Sequence, residues 1–169
     1  MDAVGSALAA KVKKFGAAWV WVQGRCMDPL LVTGDRVRVV PCQDLVVGCL
    51  YCISLLDGKI AVHRFLGFSK GIFRFRGDRS GICDELNGVN VIGLVDCVSL
   101  GGLSHSIHKI RRGFPAFVLG CRGIRVSENG RYWYSSFDKV RRFVVAVVNK
   151  LTRVAWCLED FAKAKFIGR

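Results

Sequence analysis

Residues 24–29 read Gly-Arg-Cys-Met-Asp-Pro, and this stretch, continued as Leu-Leu-Val-Thr-Gly-Asp-Arg-Val over residues 30–37, decides the fold. Two further segments follow it along the chain. Residues 61–67 read Ala-Val-His-Arg-Phe-Leu-Gly, and residues 75–78 read Phe-Arg-Gly-Asp, ahead of Cys-Asp-Glu at residues 83–85. The three segments contribute, in this order, a thiol, an imidazole and carboxylates.

The order of these segments and their residue motifs resemble those of type I signal peptidases and their relatives, with cysteine where most members have serine. A histidine in the second segment, rather than lysine, is similar to the catalytic subunit of the archaeal and endoplasmic-reticulum signal peptidase. The resemblance implies a catalytic triad of Cys26 as nucleophile, His63 as general base and Asp84 as the third member. Asp78 matches the other acidic position of the third segment, and we group it with the catalytic residues.

The triad would work through ordinary thiol chemistry. A thiol becomes a strong nucleophile when a neighbouring imidazole takes its proton. Imidazole suits this task because its ordinary pKa of about 6.5 lies near working pH. A carboxylate on the far ring nitrogen fixes the tautomer and stabilises the imidazolium. With Cys26 in place of serine, catalysis would pass through a thioester.

The attacked carbonyl would also need fixed donors for the negative charge that develops on its oxygen. The backbone N–H of Cys26 can supply one. Some relatives add a side-chain hydroxyl two residues before the nucleophile, but that position is Gly24 here, so the second donor stays unassigned. We expect Arg64, Met27 and Pro29 to support the site, because they belong to the same segments.

Each segment also has an ordinary structural interpretation. Gly-x-Cys-Met can be a loop with a buried thiol, a strand histidine can be structural, and Gly-Asp is typical of a turn. The alternative function is a catalytically silent scaffold that binds peptides with its β core. Such a scaffold would be attached to a membrane or a partner by its basic C-terminal helix.

The pattern predicts a mainly β fold, a compact antiparallel signal-peptidase-like β domain with a C-terminal amphipathic helix. Asp57-Gly58 lies between two apolar runs and is typical of a tight hairpin, which places His63 on a strand. We divide the chain into an N-terminal arm, a catalytic β core, a connector with a β-hairpin, and a basic amphipathic helix. Their bounds are residues 1–22, 23–101, 102–135 and 136–169.

The eight cysteines do not have the spacing of a small secreted disulfide scaffold, so we expect reduced thiols in a cytoplasmic protein. Cys49 and Cys52 would point to opposite faces of a strand, which disfavours a shared metal. His105 and His108 form a lone H-x-x-H pair without a second pair of ligands. We therefore expect neither a metal nor another cofactor.

A net charge of +13 favours an acidic partner or surface. No zinc-finger, RNA-recognition or helix-turn-helix pattern is present, so sequence-specific nucleic-acid binding is not expected. No run approaches the ~20 apolar residues of a membrane span, and the protein would at most be peripheral to a membrane. The substrate implied by the resemblance is an extended peptide or protein precursor.

The C-terminal helix has an apolar seam whose residues recur at alternating three- and four-residue steps. The seam comprises Phe137, Val140, Val144, Val147, Leu151, Val154, Leu158 and Phe161. Basic residues, including Arg141, Arg142, Lys150 and Arg153, lie between its members. The seam could pack on its own domain, mediate self-association, or lie on an anionic membrane with its basic neighbours at the headgroups.

Overall fold

A computed structural model of the protein describes residues 3–69, 71–80, 83–87, 90–100, 103–107, 125–126, 132–133 and 136–167. One helix precedes the strands in the sequence, α1 (Ala3–Phe15), and another follows them, α2 (Ser136–Ile167). The strands are β1 (Ala18–Trp21), β2 (Arg36–Val40), β3 (Leu50–Ser54), β4 (Ile60–Ser69), β5 (Ile72–Arg76), β6 (Asp84–Leu86), β7 (Val91–Leu100), β8 (Leu103–Ser106), β9 (Arg125–Val126) and β10 (Tyr132–Trp133). The predicted mainly β fold with a C-terminal helix is confirmed.

One antiparallel sheet contains the first eight strands. Its order is β1-β2-β7-β3-β4-β5-β6, and β8 pairs with β7 beside this path. In the β3–β4 hairpin His63 lies opposite Tyr51, and in the β5–β6 hairpin Asp84 lies opposite Phe75. Because β5 lies between β4 and β6, the sheet brings the histidine of the second segment close to the carboxylate of the third.

The nucleophile segment is the loop between β1 and β2, and the core holds it through its apolar residues. Met27, Leu30 and Leu31 are fully buried in one cluster with residues of both helices. A second cluster on the other side of β3 contains Tyr51 and Phe75, whose rings meet edge to face. The sheet thus has apolar layers on both faces, and the first layer anchors the loop that carries Cys26.

Helix α2 packs on the β core through buried Val145 and Trp156 and through several polar side chains. Arg153 donates to both carboxylate oxygens of Asp35, at 2.7 and 3.1 Å, and to the carbonyl of Leu30 at 3.2 Å. Near the other end of α2, the Asp160 carboxylate lies 3.0 Å from Nε2 of His105 on β8. The headgroup contact that the membrane alternative gave to Arg153 is therefore wrong for this residue, since its guanidinium binds the protein's own core.

The apolar seam lies on the opposite side of α2. Its six members with described side chains, Val144 to Phe161, are between 36% and 71% exposed. In the described part of the structure these six residues are therefore exposed rather than buried on their own domain. The side chains of Phe137 and Val140 lie outside the described part of the structure.

The segment after the core is more regular at its start than we predicted. Residues 103–106 were assigned to a connector, but they form β8, paired with the last part of β7. The predicted hairpin further on is present as β9 and β10. His108 and the Asn-Gly turn at 129–130 lie outside the described residues.

Seven of the eight cysteines lie in the described part of the chain, and all seven are free. Cys49 and Cys52 belong to different core clusters, on opposite sides of β3, as the strand geometry predicted. Burial raises the pKa of the Cys52 thiol to about 12, so this thiol remains protonated. Neither helix, over its described residues, is long and apolar enough to cross a bilayer.

Candidate active site

The nucleophile loop is fixed by short hydrogen bonds around Cys26. Gly24 has a φ of +83°, a conformation that favours glycine, and its carbonyl accepts a hydrogen bond of 3.0 Å from the Thr33 hydroxyl. The amides of Leu30 and Leu31 both donate to the Met27 carbonyl, at 3.0 and 3.1 Å. These bonds form a tight turn immediately after Cys26. The partly exposed thiol therefore stands on an ordered loop.

The third segment holds this loop from the other side. The amide of Arg79 donates to the Cys26 carbonyl at 2.8 Å. A Cβ atom at Gly77 would lie 2.7 Å from that same carbonyl oxygen and 2.9 Å from the Cβ of Cys26. The alternative interpretation of Gly77 was an ordinary turn, but the nucleophile approaches so closely that only glycine fits. The Gly-Asp pair of the third segment was the available sequence signal.

His63 lies on β4 and connects Cys26 with Asp84. Its Nδ1 is 2.6 Å from the Asp84 carboxylate, and its ring also forms a hydrogen bond with Cys26. His63 is 7% exposed, whereas Asp84 is half-buried. The imidazole is therefore held between a sulfur atom and a carboxylate, the arrangement that a nucleophile–base–carboxylate triad requires.

The electrostatics of this trio favour a charged imidazole. Burial lowers the pKa of His63, but the hydrogen bonds and charges of Asp84 and Cys26 outweigh burial and raise it to about 9. His63 therefore carries its proton at neutral pH. The Cys26 sulfur therefore lies beside a positively charged ring.

Asp78 takes a different position from the one we gave it among the catalytic carboxylates. It receives two hydrogen bonds from the Arg64 guanidinium, at 2.8 and 2.5 Å, and both side chains are buried. Arg64 also donates to the Gly48 carbonyl at 2.6 Å. Consecutive strand residues point to opposite faces, so His63 and Arg64 each bind their own carboxylate. In the described structure Asp78 is therefore a supporting residue that does not contact the imidazole.

Helix α2 completes the surroundings of Asp78. The Asn149 side chain donates to the Asp78 carboxylate at 2.8 Å and is fully buried. The Asp78 amide in turn lies 3.4 Å from the Met27 sulfur, which links the third segment to the nucleophile loop. Neither the contact of Asn149 with Asp78 nor that of Arg153 with Asp35 was predicted from the sequence. The only signal was a lone amide directly after the apolar run of residues 143–148.

The predicted supporting residues have distinct roles. Met27 and Arg64 hold the loop and the Asp78 carboxylate, as described above, and Pro29 lies in the turn that follows Cys26. At the surface, Asp28 accepts hydrogen bonds from Arg25 and Arg79, both at 3.0 Å. These two arginines place positive charge at the rim of the site. The described residues contain no cluster of three or more side chains suited to a metal ion.

Comparisons with protein-family models and with curated proteins do not identify a family for this chain. No protein-family model matches the sequence, and a search of curated proteins found no match. The signal-peptidase resemblance therefore remains an expectation that rests on the three segments. What the geometry adds is the contact of His63 with both Cys26 and Asp84.

Proposed function

We propose that the protein is a cysteine endopeptidase that cleaves extended peptide or precursor segments. The observation that carries the proposal is the position of His63, hydrogen-bonded to Cys26 and 2.6 Å from Asp84. A structural histidine needs one satisfied partner, whereas this ring links a partly exposed thiol to a carboxylate. The raised pKa of His63 supports the proposal, since it keeps a proton available for a leaving group.

Acylation would begin with attack of the Cys26 thiolate on the carbonyl carbon of the scissile peptide. The new S–C bond gives a tetrahedral oxyanion, which the Cys26 N–H stabilises. His63 then donates its proton to the leaving nitrogen, and the C–N bond breaks. The products are a free amine and a thioester on Cys26, with a neutral imidazole held by Asp84.

Deacylation would use the neutral imidazole as a base. His63 takes a proton from water, the hydroxyl attacks the thioester, and the C–S bond breaks to give a carboxylic acid product. The sulfur leaves as the thiolate and the imidazole keeps its proton, so the resting state returns. An amine that replaced the water would give acyl transfer through the same intermediate.

The edge of the sheet next to the nucleophile supports an extended substrate. β1 runs directly into the Cys26 loop, and among the described strands it pairs only with β2. A peptide could therefore add to the free edge of β1 and bind through backbone hydrogen bonds. Trp19 and Trp21 are exposed on this strand, and the Arg36 guanidinium lies 5.4 and 5.1 Å from their rings. By resemblance, the substrate would have small side chains before the scissile bond.

The redox state of the cysteines bears on the cellular compartment of the protein. All described cysteines are free, and Cys26 acts only when it is reduced. We propose a cytoplasmic protein on this basis.

Incubation with a peptide library, followed by mass spectrometry, tests the proposal. The wild type should release fragments and form a thioester adduct on Cys26, while Cys26→Ala should cleave at least about a thousandfold more slowly. The matched control is Cys157→Ala, which removes an exposed thiol from α2 and should cleave normally. Equal fragmentation by wild type and Cys26→Ala would refute the peptidase and favour the silent scaffold.

A further inference from the structure

Helix α2 buries two apolar residues, Val145 and Trp156, but presents a second, separate set of apolar residues to solvent. Phe143, next to the seam, is 70% exposed, Leu151 is 64% exposed and Phe161 is 71% exposed. On the opposite side Asn149 and Arg153 bind the core. A surface helix ordinarily carries polar residues on its solvent side, so the exposed apolar strip is the unusual feature of α2.

The exposed strip is continuous and long. From Phe143 to Phe161 it spans eighteen residue steps, which is about 27 Å at ~1.5 Å per residue. Contiguous apolar surface of this kind marks a contact with a membrane or another molecule. The polar bonds on the other face fix α2 in this orientation, so the strip does not turn inward without breaking them.

We propose that this strip inserts into an anionic membrane surface, with α2 lying flat in the headgroup region. The charge of the protein is complementary to such a surface, because its net charge is +13. Lys150 and Lys163 are exposed on α2 beside the strip, where their ammonium groups can reach lipid phosphates. Basic residues also outnumber acidic ones in the helix sequence, with Lys139, Arg141, Arg142, Lys150, Arg153, Lys163 and Lys165 against Asp138, Glu159 and Asp160.

A second copy of the chain fits the strip less well. Helices that pair through a seam of this spacing use opposite charges at the flanking positions to choose a partner. Here those positions carry Lys150 and Cys157 on one side and Ala155 and Ala162 on the other, without an acidic residue. Two chains of charge +13 would also repel one another.

The proposal defines how the core sits above the lipid. Asn149 projects from the side of α2 opposite Leu151 and contacts Asp78. The Asp78 carboxylate would therefore stand about one helix diameter, ~10–12 Å, above the strip. The β core is carried on the cytosolic side of α2 rather than in the bilayer.

Co-sedimentation of the full chain with vesicles tests this inference without any cleavage assay. The probes are phosphatidylcholine vesicles and vesicles in which a quarter of the lipid is phosphatidylserine. The wild type should bind only the second kind, and binding should weaken as salt rises from about 0.1 M to about 1 M. Leu151→Glu and Leu158→Glu should each weaken binding at least about tenfold, because each replaces a leucine that the proposal places in the lipid.

The matched control is Leu56→Glu, which changes the charge equally at a leucine that is 85% exposed in the β3–β4 turn. It should bind like the wild type, and circular dichroism should show all three variants folded. Unchanged binding by both α2 variants, or no binding to acidic vesicles, would overturn the proposal. A concentration-dependent dimer in lipid-free solution that Leu151→Glu dissociates would assign the strip to a second copy instead.

Discussion

The β core and helix α2 differ in which residues they bury. In the core the apolar residues face inward, and the largest of them, such as Tyr51 and Phe75, are almost fully buried. In α2 the residues fixed to the core include Asn149 and Arg153, while Leu151 and Leu158 are exposed. The sheet is therefore built mainly by apolar burial, whereas the last helix is attached by specific polar bonds together with two buried apolar side chains, Val145 and Trp156.

This difference shows what periodicity can and cannot predict. Spacing tells which residues share a face of a helix, because it follows from 3.6 residues per turn. The direction of that face depends on the partners available in the rest of the fold. Here two carboxylates, Asp35 and Asp78, accept charge-assisted bonds from α2 at 2.7 and 2.8 Å, and they favour the face that carries Asn149 and Arg153.

The largest expected effect lies in the core and concerns Asp84. Asp84→Asn keeps the size of the side chain but removes the charge that orients and stabilises the His63 imidazolium. Peptide cleavage should fall by about a thousandfold or more. The imidazole proton resonances should titrate at a lower pH than in the wild type. Burial lowers the pKa of His63, and the Asp84 carboxylate that raises this pKa is then absent.

Asp78→Asn is the informative comparison for that experiment. It alters the carboxylate bound to Arg64 and Asn149 and leaves the His63–Asp84 contact in place. We expect it to destabilise the fold while the imidazole still titrates near its wild-type pH. If Asp78→Asn shifted the imidazole titration and Asp84→Asn did not, the third member of the triad would be Asp78.

The next effect is a dependence of stability on pH. The folded state raises the pKa of His63 to about 9, above its ordinary value of about 6.5. Protonated His63 therefore stabilises the fold fully below about pH 6.5, and this contribution is lost as pH rises through about 9. Urea unfolding should show up to about 3 kcal/mol less stability at the alkaline end. His63→Asn should lose most of this dependence of the free energy of unfolding on pH. An equal dependence in both proteins would show that the charged imidazole does not cause it.

A smaller effect compares the two faces of α2 directly. Asn149→Leu adds apolar surface but leaves Asp78 with one donor fewer, and it should lower the free energy of unfolding by about 1–3 kcal/mol. Leu151→Asn removes apolar surface from an exposed position and should change it by less than about 0.5 kcal/mol. Denaturant unfolding of both variants provides the test. The reverse ranking would mean that the seam, rather than the polar face, packs on the core.

Much of the core could be predicted from the sequence because its signals are local. Asp57-Gly58 predicted the β3–β4 hairpin, and this hairpin fixes His63 opposite Tyr51. The three segments also predicted the members of the trio, and the separate contact of Asp78 with Arg64 follows from strand alternation. These inferences hold because short turns and the two-residue period of a strand determine the geometry.

The remaining features depend on contacts between residues far apart in the chain. Asn149 meets Asp78 across 71 positions, and Arg153 meets Asp35 across 118. No periodicity within α2 indicates either partner. The need for glycine at position 77 arises from the approach of the Cys26 backbone, which becomes visible only when the nucleophile loop and the third segment are folded together.

The most direct measurement of the central claim is the alkylation rate of Cys26 as a function of pH. Iodoacetamide labelling, followed residue by residue with mass spectrometry, compares Cys26 with the exposed Cys157 in one sample. At pH near 6, Cys26 should react at least about tenfold faster than Cys157, because the protonated His63 ring lies beside its sulfur. His63→Ala should abolish this advantage while Cys157 reacts as before. Cys26 reactivity that is equal to that of Cys157, or unchanged by His63→Ala, would contradict the account.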